Sequence, residues 1–407
     1  MEEIKFINGG VTAPQGFTAN GMYCGIRKNK VKPDLALIYS PVECSAAAVY
    51  TKNLVKGAPI YVTQENISNG VARAVICNSG IANTCNANGI EMAQEMCKIA
   101  ASALNISEKD VIVASTGVIG MPLDVTPIRN GIDELVGGLT ADGSDRAAKA
   151  IMTTDTCKKE FAVEFELSGK ICKIGAIAKG SGMINPNMAT MLGFITTDIK
   201  IAPEMLKKAL LFVIEDTYNM VSVDGDTSTN DMVSIMASGL AENDEIKTEN
   251  EDYNVFVSAL YEVCRLVARA LARDGEGATK LVECTVLGAK DKATAATVAK
   301  SVICSSLVKA AMFGADANWG RILCAIGYAG ADVDVNKVDV KFVGKKGELV
   351  VCVNGSGVPV DEDFAKELLS EDEILIVCDL KSGDGQATAY GCDLTYDYVK
   401  INGDYRT

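Results

Sequence analysis

Short apolar segments separated by turns recur along the chain, and they predict a set of buried strands. Runs of four to eight apolar or alternating residues, bounded by turn-forming residues, are typical of strands. The segment at 191–195 is fully apolar apart from one glycine and directly follows a loop rich in glycine and proline. The predicted strands cover residues 35–39, 47–50, 74–77, 111–114, 161–167, 171–178, 191–195, 338–343, 349–353, 374–378 and 387–394.

Segments with helical spacing lie between these strands. The longest amphipathic one, residues 255–272, places Leu260, Val263 and Val267 on one face and ends at a glycine. Another helix begins at Thr126-Pro127, where a hydroxyl precedes a proline at the first helical position. Further helices are predicted at 91–104, 145–152, 203–217 and 292–313. Interleaved strands and helices of this kind predict a layered α/β protein.

Composition narrows the class of protein. The chain has 407 residues, of which 48% are hydrophobic and 23% charged, as in globular proteins. A formal net charge of −14 argues against nucleic acid as a partner, because phosphates would be repelled. No apolar run approaches the roughly 20 residues of a membrane helix, and the acidic start does not resemble a secretion signal. We therefore expect a cytoplasmic protein without a membrane partner.

The absence of histidine is the most informative feature of the composition. The sequence contains no histidine, which excludes Ser-His-Asp and Cys-His catalysis and histidine-ligated zinc. The 14 cysteines are scattered without any Cys-x-x-Cys pair, so we expect free thiols in a reducing compartment and no metal site. An acyl-transfer enzyme of this composition needs a base other than imidazole.

Several loops are rich in Gly, Ser, Thr and Asn, and each alone is typical of a turn. No segment has the P-loop spacing, and Gly275-Glu276-Gly277 ends a helix instead of opening one, which makes a dinucleotide site a weak interpretation. The acidic spacing of residues 224–231 is not that of an EF-hand loop, so a structural Asx-turn loop is the better interpretation there. We therefore predict no bound cofactor.

Residues 179–192, with the sequence KGSGMINPNMATML, cannot form a regular helix or a central strand up to Met191, because glycines and a proline interrupt them. Thr190 lies where this constrained loop enters a predicted strand. If the Ala189-Thr190 bond is cleaved, Thr190 gains an α-amine with an unperturbed pKa of roughly 7.7 to 8, which can serve as the missing base. Spacing alone leaves an ordinary strand residue as the alternative.

Four further positions are candidates for chemistry at the same site. Thr116 and Gly117 follow the predicted strand 111–114 and can supply a hydroxyl and a backbone N–H to an oxyanion. Lys179 and Glu276 are candidate fixed charges. A simple turn and exposed loop charges remain the alternatives for these positions.

Seven motifs in this order resemble the glutamate N-acetyltransferase / ornithine acetyltransferase family of arginine biosynthesis, which belongs to the self-cleaving N-terminal-nucleophile-like superfamily. The resemblance extends over essentially the whole chain. The motifs are residues 115–120 (STGVIG), 153–156 (TTDT), 179–192, 224–231 (DGDTSTND), 273–280 (RDGEGATK), 318–321 (NWGR) and 401–407 (INGDYRT).

The resemblance implies a fold, a processing event and a reaction. The fold would be a layered α-β-β-α-type sandwich with a smaller α/β C-terminal part. Self-cleavage between Ala189 and Thr190 would give an α chain (1–189) and a β chain (190–407) that build one composite fold and pair as α2β2. Thr190 would take the acetyl group of N-acetylornithine and pass it to glutamate in a ping-pong cycle, and acetyl-CoA as a further donor stays open.

The resemblance also assigns site residues. Thr116 and Gly117 would form the oxyanion hole. The positions that match the family's substrate contacts are Thr153, Lys179, Thr190, Glu276, Asn402 and Thr407; from charge alone, Lys179 would suit a carboxylate and Glu276 an amine.

The chain departs from the family pattern at a few positions: Ala317 and Lys158 stand where proline is usual, and Thr84 and Gly403 where alanine is common. None of these has an implied catalytic role. The competing hypotheses are an aminopeptidase of the same superfamily, which would release acyl groups to water, and a non-enzymatic binding protein.

Overall fold

A computed structural model describes residues 4–28, 31–185 and 191–404 of the chain. Its strands form one nine-stranded and one seven-stranded sheet. The strands are β1 (Lys5–Ile7), β2 (Thr18–Met22), β3 (Leu35–Tyr50), β4 (Val71–Ile81), β5 (Val111–Val118), β6 (Lys159–Leu167), β7 (Lys170–Lys179), β8 (Leu192–Thr197), β9 (Val221–Ser222), β10 (Met232–Ala237), β11 (Leu281–Ala289), β12 (Asp339–Gly344), β13 (Gly347–Val353), β14 (Ser356–Gly357), β15 (Glu373–Asp379) and β16 (Gly385–Cys392).

The α-helices alternate with these strands. They are α1 (Ala58–Asn66), α2 (Gly89–Leu104), α3 (Thr126–Gly137), α4 (Ser144–Ile151), α5 (Pro203–Asp216), α6 (Glu251–Arg273), α7 (Lys292–Cys304), α8 (Ser306–Phe313), α9 (Trp319–Gly327), α10 (Glu362–Leu369) and α11 (Tyr396–Asp404).

The nine-stranded sheet has the order β1-β6-β7-β8-β10-β3-β4-β5, with β2 added beside β3. Its centre is the parallel pair β8 and β10, in which Leu192 lies opposite Met232. The pair β8 and β10, which follows residue 190, lies between β7 and β3, which precede it, so the two parts of the chain share one core. The division into separate chains at 189 and 190 stays a prediction.

Helices cover both faces of this sheet. On one face, α4 packs against β2 and β3, and Ile177 and Phe194 belong to the same buried cluster. On the other face, α5 and α6 join a cluster that continues into the seven-stranded sheet, since α6 contacts β6 and β7 of the first sheet and β11 and β16 of the second. The predicted layered α/β class, with a smaller α/β part toward the C-terminus, is confirmed.

One predicted helix is wrong. Residues 292–313 form two helices, α7 and α8, whose axes differ by 58°. Ser305 between them is extended, with φ −68° and ψ 111°, and its hydroxyl accepts the N–H of Val308 at 3.3 Å as the N-cap of α8. The capping serine therefore ends one helix and starts the next within an apolar segment that reads as continuous.

The predicted strands 35–39 and 47–50 are the two ends of β3. The pairing register between β3 and β4 shifts between Tyr39 and Cys44. Pro41 lies in that interval and has no N–H to donate to the ladder, which explains an interruption in one long strand.

Among the described residues, no single helix has the length and apolar character needed to cross a membrane; only the bent pair α7 and α8 passes by length and composition. Both helices bury part of their side chains in the core described above.

Candidate active site

The turn proposed for the oxyanion hole lies at the end of two parallel strands. β4 and β5 pair with Ser79 opposite Thr116 and Gly80 opposite Gly117, and the register shifts just beyond. Gly117 has φ +132°, and a Cβ atom there would lie 2.2 Å from the carbonyl carbon of Gly80. Both the conformation and the close approach of the two backbones require glycine at this position.

Lys179 ends β7 and lies opposite Leu192 at the start of β8. Its positive charge helps to lower the pKa of the buried Asp155, and it opposes the burial that raises the pKa of Asp231. Among the described residues Lys179 forms no ion pair within 4 Å, which leaves its ammonium free for a substrate group.

The segment that follows Lys179 is fixed by hydrogen bonds to two separate parts of the chain. The N–H of Gly180 donates to the Asp155 carboxylate at 2.7 Å. The Ser181 hydroxyl lies 2.7 Å from that of Thr154, and the Ser181 carbonyl accepts the N–H of Glu276 at 2.8 Å. These contacts hold the start of the segment against the two loops that carry Thr153 and Glu276.

Asp224 fixes the next residues of the same segment. Its carboxylate accepts the N–H groups of Met183 at 2.6 Å and Ile184 at 2.9 Å. It also accepts the N–H of Asp226 at 3.2 Å, which confirms the predicted Asx turn in the 224–231 loop. The chain is therefore anchored up to Asn185, whose side chain donates to the carbonyl of Gly225 at 3.0 Å.

The anchoring resumes at Met191, whose carbonyl accepts the N–H of Met232 at 2.9 Å. The predicted cleavage site, Ala189 and Thr190, lies outside the described residues, as does the predicted substrate contact Thr407. The described chain thus fixes both flanks of the segment in which cleavage is predicted.

A buried ionic cluster that the sequence did not predict holds the site loops together. Lys159 is fully buried and donates to Asp155 at 2.7 Å and to Asp274 at 2.6 Å. Asp155 also accepts the N–H of Thr153 at 2.9 Å, and Asp274 accepts the N–H of Thr156 at 3.1 Å. The cluster therefore fixes the Thr153 loop, the Gly180 turn and the loop after α6 relative to one another.

The charges of this cluster stabilise each other. Burial alone would raise the pKa of Asp155, but the ammonium groups of Lys159 and Lys179 outweigh it and lower that pKa to about 2. Burial alone would likewise lower the pKa of Lys159, and Asp155 and Asp274 raise it instead. Asp155 and Lys159 therefore remain ionised at neutral pH, as a buried ion pair requires.

Glu276 and the C-terminal helix meet at the site. The Asn402 side chain donates to the Glu276 carboxylate at 2.7 Å, and the Tyr398 hydroxyl lies 3.3 Å from Asp224. A Cβ atom at Gly277 would lie 2.6 Å from the backbone nitrogen of Tyr398, so glycine there lets α11 lie directly on the loop. The implied return of the C-terminus to the site is thus seen for Asn402.

Buried polar atoms without a hydrogen-bond partner among the described residues gather around the same strand ends. Four of the six side-chain atoms of this kind are Asn78 Oδ1, Asn83 Oδ1, Ser115 Oγ and Asp231 Oδ2; the other two are Arg73 Nε and the Tyr218 hydroxyl. Burial raises the pKa of Asp231 well above its ordinary value, although a hydrogen bond from Ser228 and the charge of Lys179 oppose this. Unpaired buried polar atoms are costly in a fold, and their concentration here is typical of a functional site.

Of the residues predicted from sequence, the structure connects Thr153, Lys179, Glu276 and Asn402 through adjacent loops. Thr116 and Gly117 lie on β5, an edge strand of the same sheet that pairs with β4. Their individual roles stay predictions. No spacing pattern in the sequence predicts the Lys159 cluster, because Lys159 and Asp274 are 115 residues apart.

No group of three or more His, Cys, Asp or Glu side chains suited to a metal ion occurs in the part of the chain that the structure describes. The arrangement instead combines a free cation, a carboxylate beside an amide, and a turn able to present N–H donors. Such a set suits a zwitterionic substrate and a reaction that develops negative charge on an oxygen.

Comparisons with known proteins agree with these features. The model of the ArgJ family matches residues 18–407. The arginine biosynthesis bifunctional protein ArgJ of Caldanaerobacter subterraneus subsp. tengcongensis is 49% identical over 405 residues, 99% of this chain and 100% of that protein. The ArgJ protein of Bacillus subtilis is 47% identical over 408 residues, 100% of this chain and 98% of that protein.

A solved structure is also similar. The arginine biosynthesis bifunctional protein ArgJ of Bacillus halodurans is 46% identical, with a TM-score of 0.51. The match covers all of that solved chain and 53% of this one.

Proposed function

Because the chain belongs to the ArgJ family, we propose that it is a glutamate N-acetyltransferase that moves the acetyl group of N2-acetylornithine to glutamate. The products are ornithine and N-acetylglutamate, which places the enzyme in arginine biosynthesis. The relatives are named bifunctional, so we extend the proposal to acetylation of glutamate from acetyl-CoA, which acts as a co-substrate and not as a bound cofactor.

The proposed cycle starts with self-cleavage. The Thr190 hydroxyl attacks the carbonyl of Ala189, the peptide nitrogen leaves as the new α-amine of Thr190, and water hydrolyses the resulting ester. Hydrogen bonds to Asp224 and from Met232 anchor Met183, Ile184 and Met191, on the two sides of the segment that contains this bond. The α-amine then provides the base that the histidine-free sequence lacks.

Acetyl transfer follows in two half-reactions. The Thr190 hydroxyl attacks the acetyl carbon of N-acetylornithine while the α-amine takes its proton; the tetrahedral oxyanion receives hydrogen bonds from Thr116 and the N–H of Gly117. Ornithine leaves with the proton, and the amine of glutamate then attacks acetyl-Thr190. Lys179 binds the substrate carboxylate and Glu276 an amine, with Thr153, Asn402 and Thr407 completing the contacts.

The observation that carries the proposal is the assembly of Lys179, Glu276 and the Thr153 loop around the Gly180 turn, in a chain with full-length ArgJ similarity. The fraction of this chain that the solved B. halodurans chain covers supports cleavage. A separate chain of residues 190–407 holds 218 of 407 residues, close to the 53% that this solved chain covers.

We further propose that the two chains stay together as an α2β2 assembly in the cytoplasm. The nine-stranded sheet supports the association of α and β, because β8 and β10 of the β part pair with β7 and β3 of the α part. Size-exclusion chromatography with light scattering would measure the assembly mass, and two copies of each chain should co-elute.

A denaturing gel tests the cleavage. Wild type should give bands of about 20 and 23 kDa, in proportion to 189 and 218 of the 407 residues in 42.9 kDa. Thr190→Ala should give one band at 42.9 kDa and no transfer activity. Cleavage of that variant at the same bond would contradict the mechanism.

An activity assay separates the proposal from its rivals. Purified protein should transfer acetyl from N-acetylornithine to glutamate and release little free acetate. Hydrolysis without transfer would favour the aminopeptidase, and neither reaction, in an uncleaved chain, would favour a binding protein. A parallel assay with acetyl-CoA as the only donor decides whether the second activity is present.

A further inference from the structure

The oxyanion strand is held from outside by one side chain, Asn230. Asn230 belongs to the 224–231 loop and is buried, with 7% of its surface exposed. Its amide nitrogen donates to the carbonyl of Ser115 at 2.9 Å and to that of Ala82 at 2.5 Å. One amide group thereby joins the ends of two parallel strands, β4 and β5.

These two carbonyls flank the peptide unit that is assigned to the oxyanion hole. Ser115 is the residue before Thr116, so its carbonyl belongs to the peptide plane that carries the Thr116 N–H. Ala82 in turn donates its N–H to the carbonyl of Val118 at 2.9 Å, just beyond Gly117. The Asn230 contacts therefore restrain the strand on both sides of Gly117.

Two hydroxyls determine which way the amide faces. Thr84 donates to Asn230 Oδ1 at 2.6 Å and Thr229 donates to the same oxygen at 2.5 Å. A hydroxyl can donate or accept, whereas the carbonyls of Ser115 and Ala82 can only accept, so the NH2 group must point to the carbonyls and the oxygen to the hydroxyls. All four hydrogen-bonding positions of the amide are filled.

Space around the amide is equally restricted. The N–H of Gly57 donates to the carbonyl of Thr229 at 2.9 Å, and a Cβ atom at Gly57 would lie 2.6 Å from Asn230 Nδ2. The amide thus has neither an alternative orientation nor room to move. This is the rigidity that a preorganised donor site needs.

We propose that Asn230 is a positioning residue of the acetyl-transfer reaction: its amide fixes the Thr116-Gly117 peptide so that the N–H of Gly117 points at the oxyanion, and the Thr84 hydroxyl fixes the amide. Thr84 is a position at which this chain departs from the family pattern. The proposal rests on the assignment of Thr116 and Gly117 to the oxyanion hole.

Asn230→Asp is the direct test, because the carboxylate keeps the shape but loses both donors. The kcat for transfer from N-acetylornithine should fall about 10-fold to 100-fold, since misplacing a donor by about 1 Å has effects of this size. The KM for N-acetylornithine should change less than threefold, because the substrate contacts are made by other residues. Self-cleavage, followed on a denaturing gel, should slow in parallel.

Thr84→Val is a milder test that removes only the hydroxyl. It tests the positioning role of Asn230 if Asn230→Asp does not fold. Its kcat should fall about fivefold with KM unchanged. In an Asn230→Ala background the same substitution should have no further effect, because the hydroxyl acts through the amide.

Asn53→Asp is the matched control. Asn53 also donates an amide N–H to a carbonyl, that of Thr227 in the same loop at 2.9 Å, but it does not contact the oxyanion strand. Its kcat should stay within twofold of wild type.

The outcomes separate this proposal from the proposed function. If Asn230→Asp and Thr84→Val keep wild-type kcat while Thr116→Val loses it, the positioning role is overturned and the oxyanion assignment stands. The positioning role would also be overturned if Asn230→Asp lost kcat and melting temperature in parallel and Asn53→Asp showed the same losses. Absence of transfer in wild type would overturn the proposed function instead.

Discussion

Asp231 is a single residue of the site whose buried carboxyl group should lower the stability of the fold. Its side chain is 2% exposed, and its Oδ2 atom has no hydrogen-bond partner among the described residues. Burial raises its pKa well above the ordinary value, despite Ser228 and Lys179. An ionised carboxylate in this position destabilises the fold, so a functional reason for its presence is expected.

Asp231→Asn should therefore raise stability at high pH. When the pKa of an acid is higher in the folded than in the unfolded state, the folded state binds the proton more tightly. The free energy of unfolding therefore falls as pH rises from the unfolded-state pKa toward the folded-state pKa. The variant should be more stable than wild type by about 1–3 kcal/mol at pH 8 and by less at pH 4. Urea unfolding at both pH values measures the difference.

The control is Asp226→Asn, which removes an exposed carboxylate from the same loop. It should change stability by less than about 0.5 kcal/mol at either pH. Equal or lower stability of Asp231→Asn at pH 8 would contradict the interpretation of Asp231 as a destabilising charge.

Gly117→Ala should disrupt the oxyanion strand. The new Cβ atom would lie 2.2 Å from the carbonyl carbon of Gly80, so β4 and β5 would have to separate at this point. We expect acetyl transfer to fall at least about 100-fold, as when an oxyanion donor is lost. Steady-state kinetics and the processing gel measure the effect.

Gly120→Ala separates this clash from backbone strain. Gly120 also has a positive φ, +80°, but a Cβ atom there would meet nothing within 4 Å. Its effect should be limited to about 1–2 kcal/mol of strain. Similar transfer losses in both variants would show that conformation, not the contact with Gly80, decides the result.

At the scale of elements, the Lys159 cluster joins the start of β6 to the loop after α6. Lys159 and both of its partners are almost completely buried, at 0%, 0% and 3% side-chain exposure. Removing one member leaves uncompensated charge in the core, which is far more costly than removing an exposed ion pair.

Lys159→Met should lower stability by about 3–5 kcal/mol at pH 7, measured by urea unfolding. Lys158→Met is the matched control, because the adjacent lysine pairs with Asp145 and Glu160 at a more exposed position and should matter by less than about 1 kcal/mol. Equal losses in the two variants would contradict a structural role for the buried cluster.

Acid should weaken the same cluster in the wild type. The pKa of Asp155 is lowered to about 2 in the folded protein from 3.8, so its contribution is complete above the unfolded-state pKa and is lost as pH falls from about 4 to 2. The stability difference between wild type and Lys159→Met should therefore shrink over this interval. A difference that is constant with pH would contradict the assignment.

At the scale of the whole molecule, the C-terminal helix α11 serves the site more than the fold. None of its residues is buried, and it is held by Asn402 on Glu276, Tyr398 on Asp224 and the close contact with Gly277. A helix attached in this way should contribute little to global stability.

Deleting residues 396–407 should therefore leave the melting temperature within about 2 °C of wild type and leave self-cleavage intact. Transfer should fall about 10-fold to 100-fold in kcat/KM, since a hydrogen bond to a charged group contributes about 1.5–3 kcal/mol. Asn402→Ala should show part of this loss in kcat/KM. Deleting only residues 405–407 should show the part of the loss that is due to Thr407. Loss of folding on removing α11 would contradict its peripheral role.

Most strands and helices could be predicted from the sequence alone, while the chemistry of Thr190 stays a prediction. Apolar runs predicted the central strands because burial on both faces demands them, and the lack of histidine pointed to the α-amine of Thr190. The prediction of one helix over residues 292–313 was wrong, because the side chain of Ser305 caps a new helix within an apolar segment. Hydrophobic periodicity does not indicate such a cap.

The contacts that hold the site together could be identified only from the folded structure. Lys159 meets Asp274, and Asn230 meets Ser115, across 115 residues in each case, and no spacing rule links such positions. The need for glycine at 117 likewise arises from the backbone of Gly80 on a neighbouring strand. Periodicity reports whether a residue faces the core, whereas these contacts depend on how distant strands and loops meet, which only the folded chain determines.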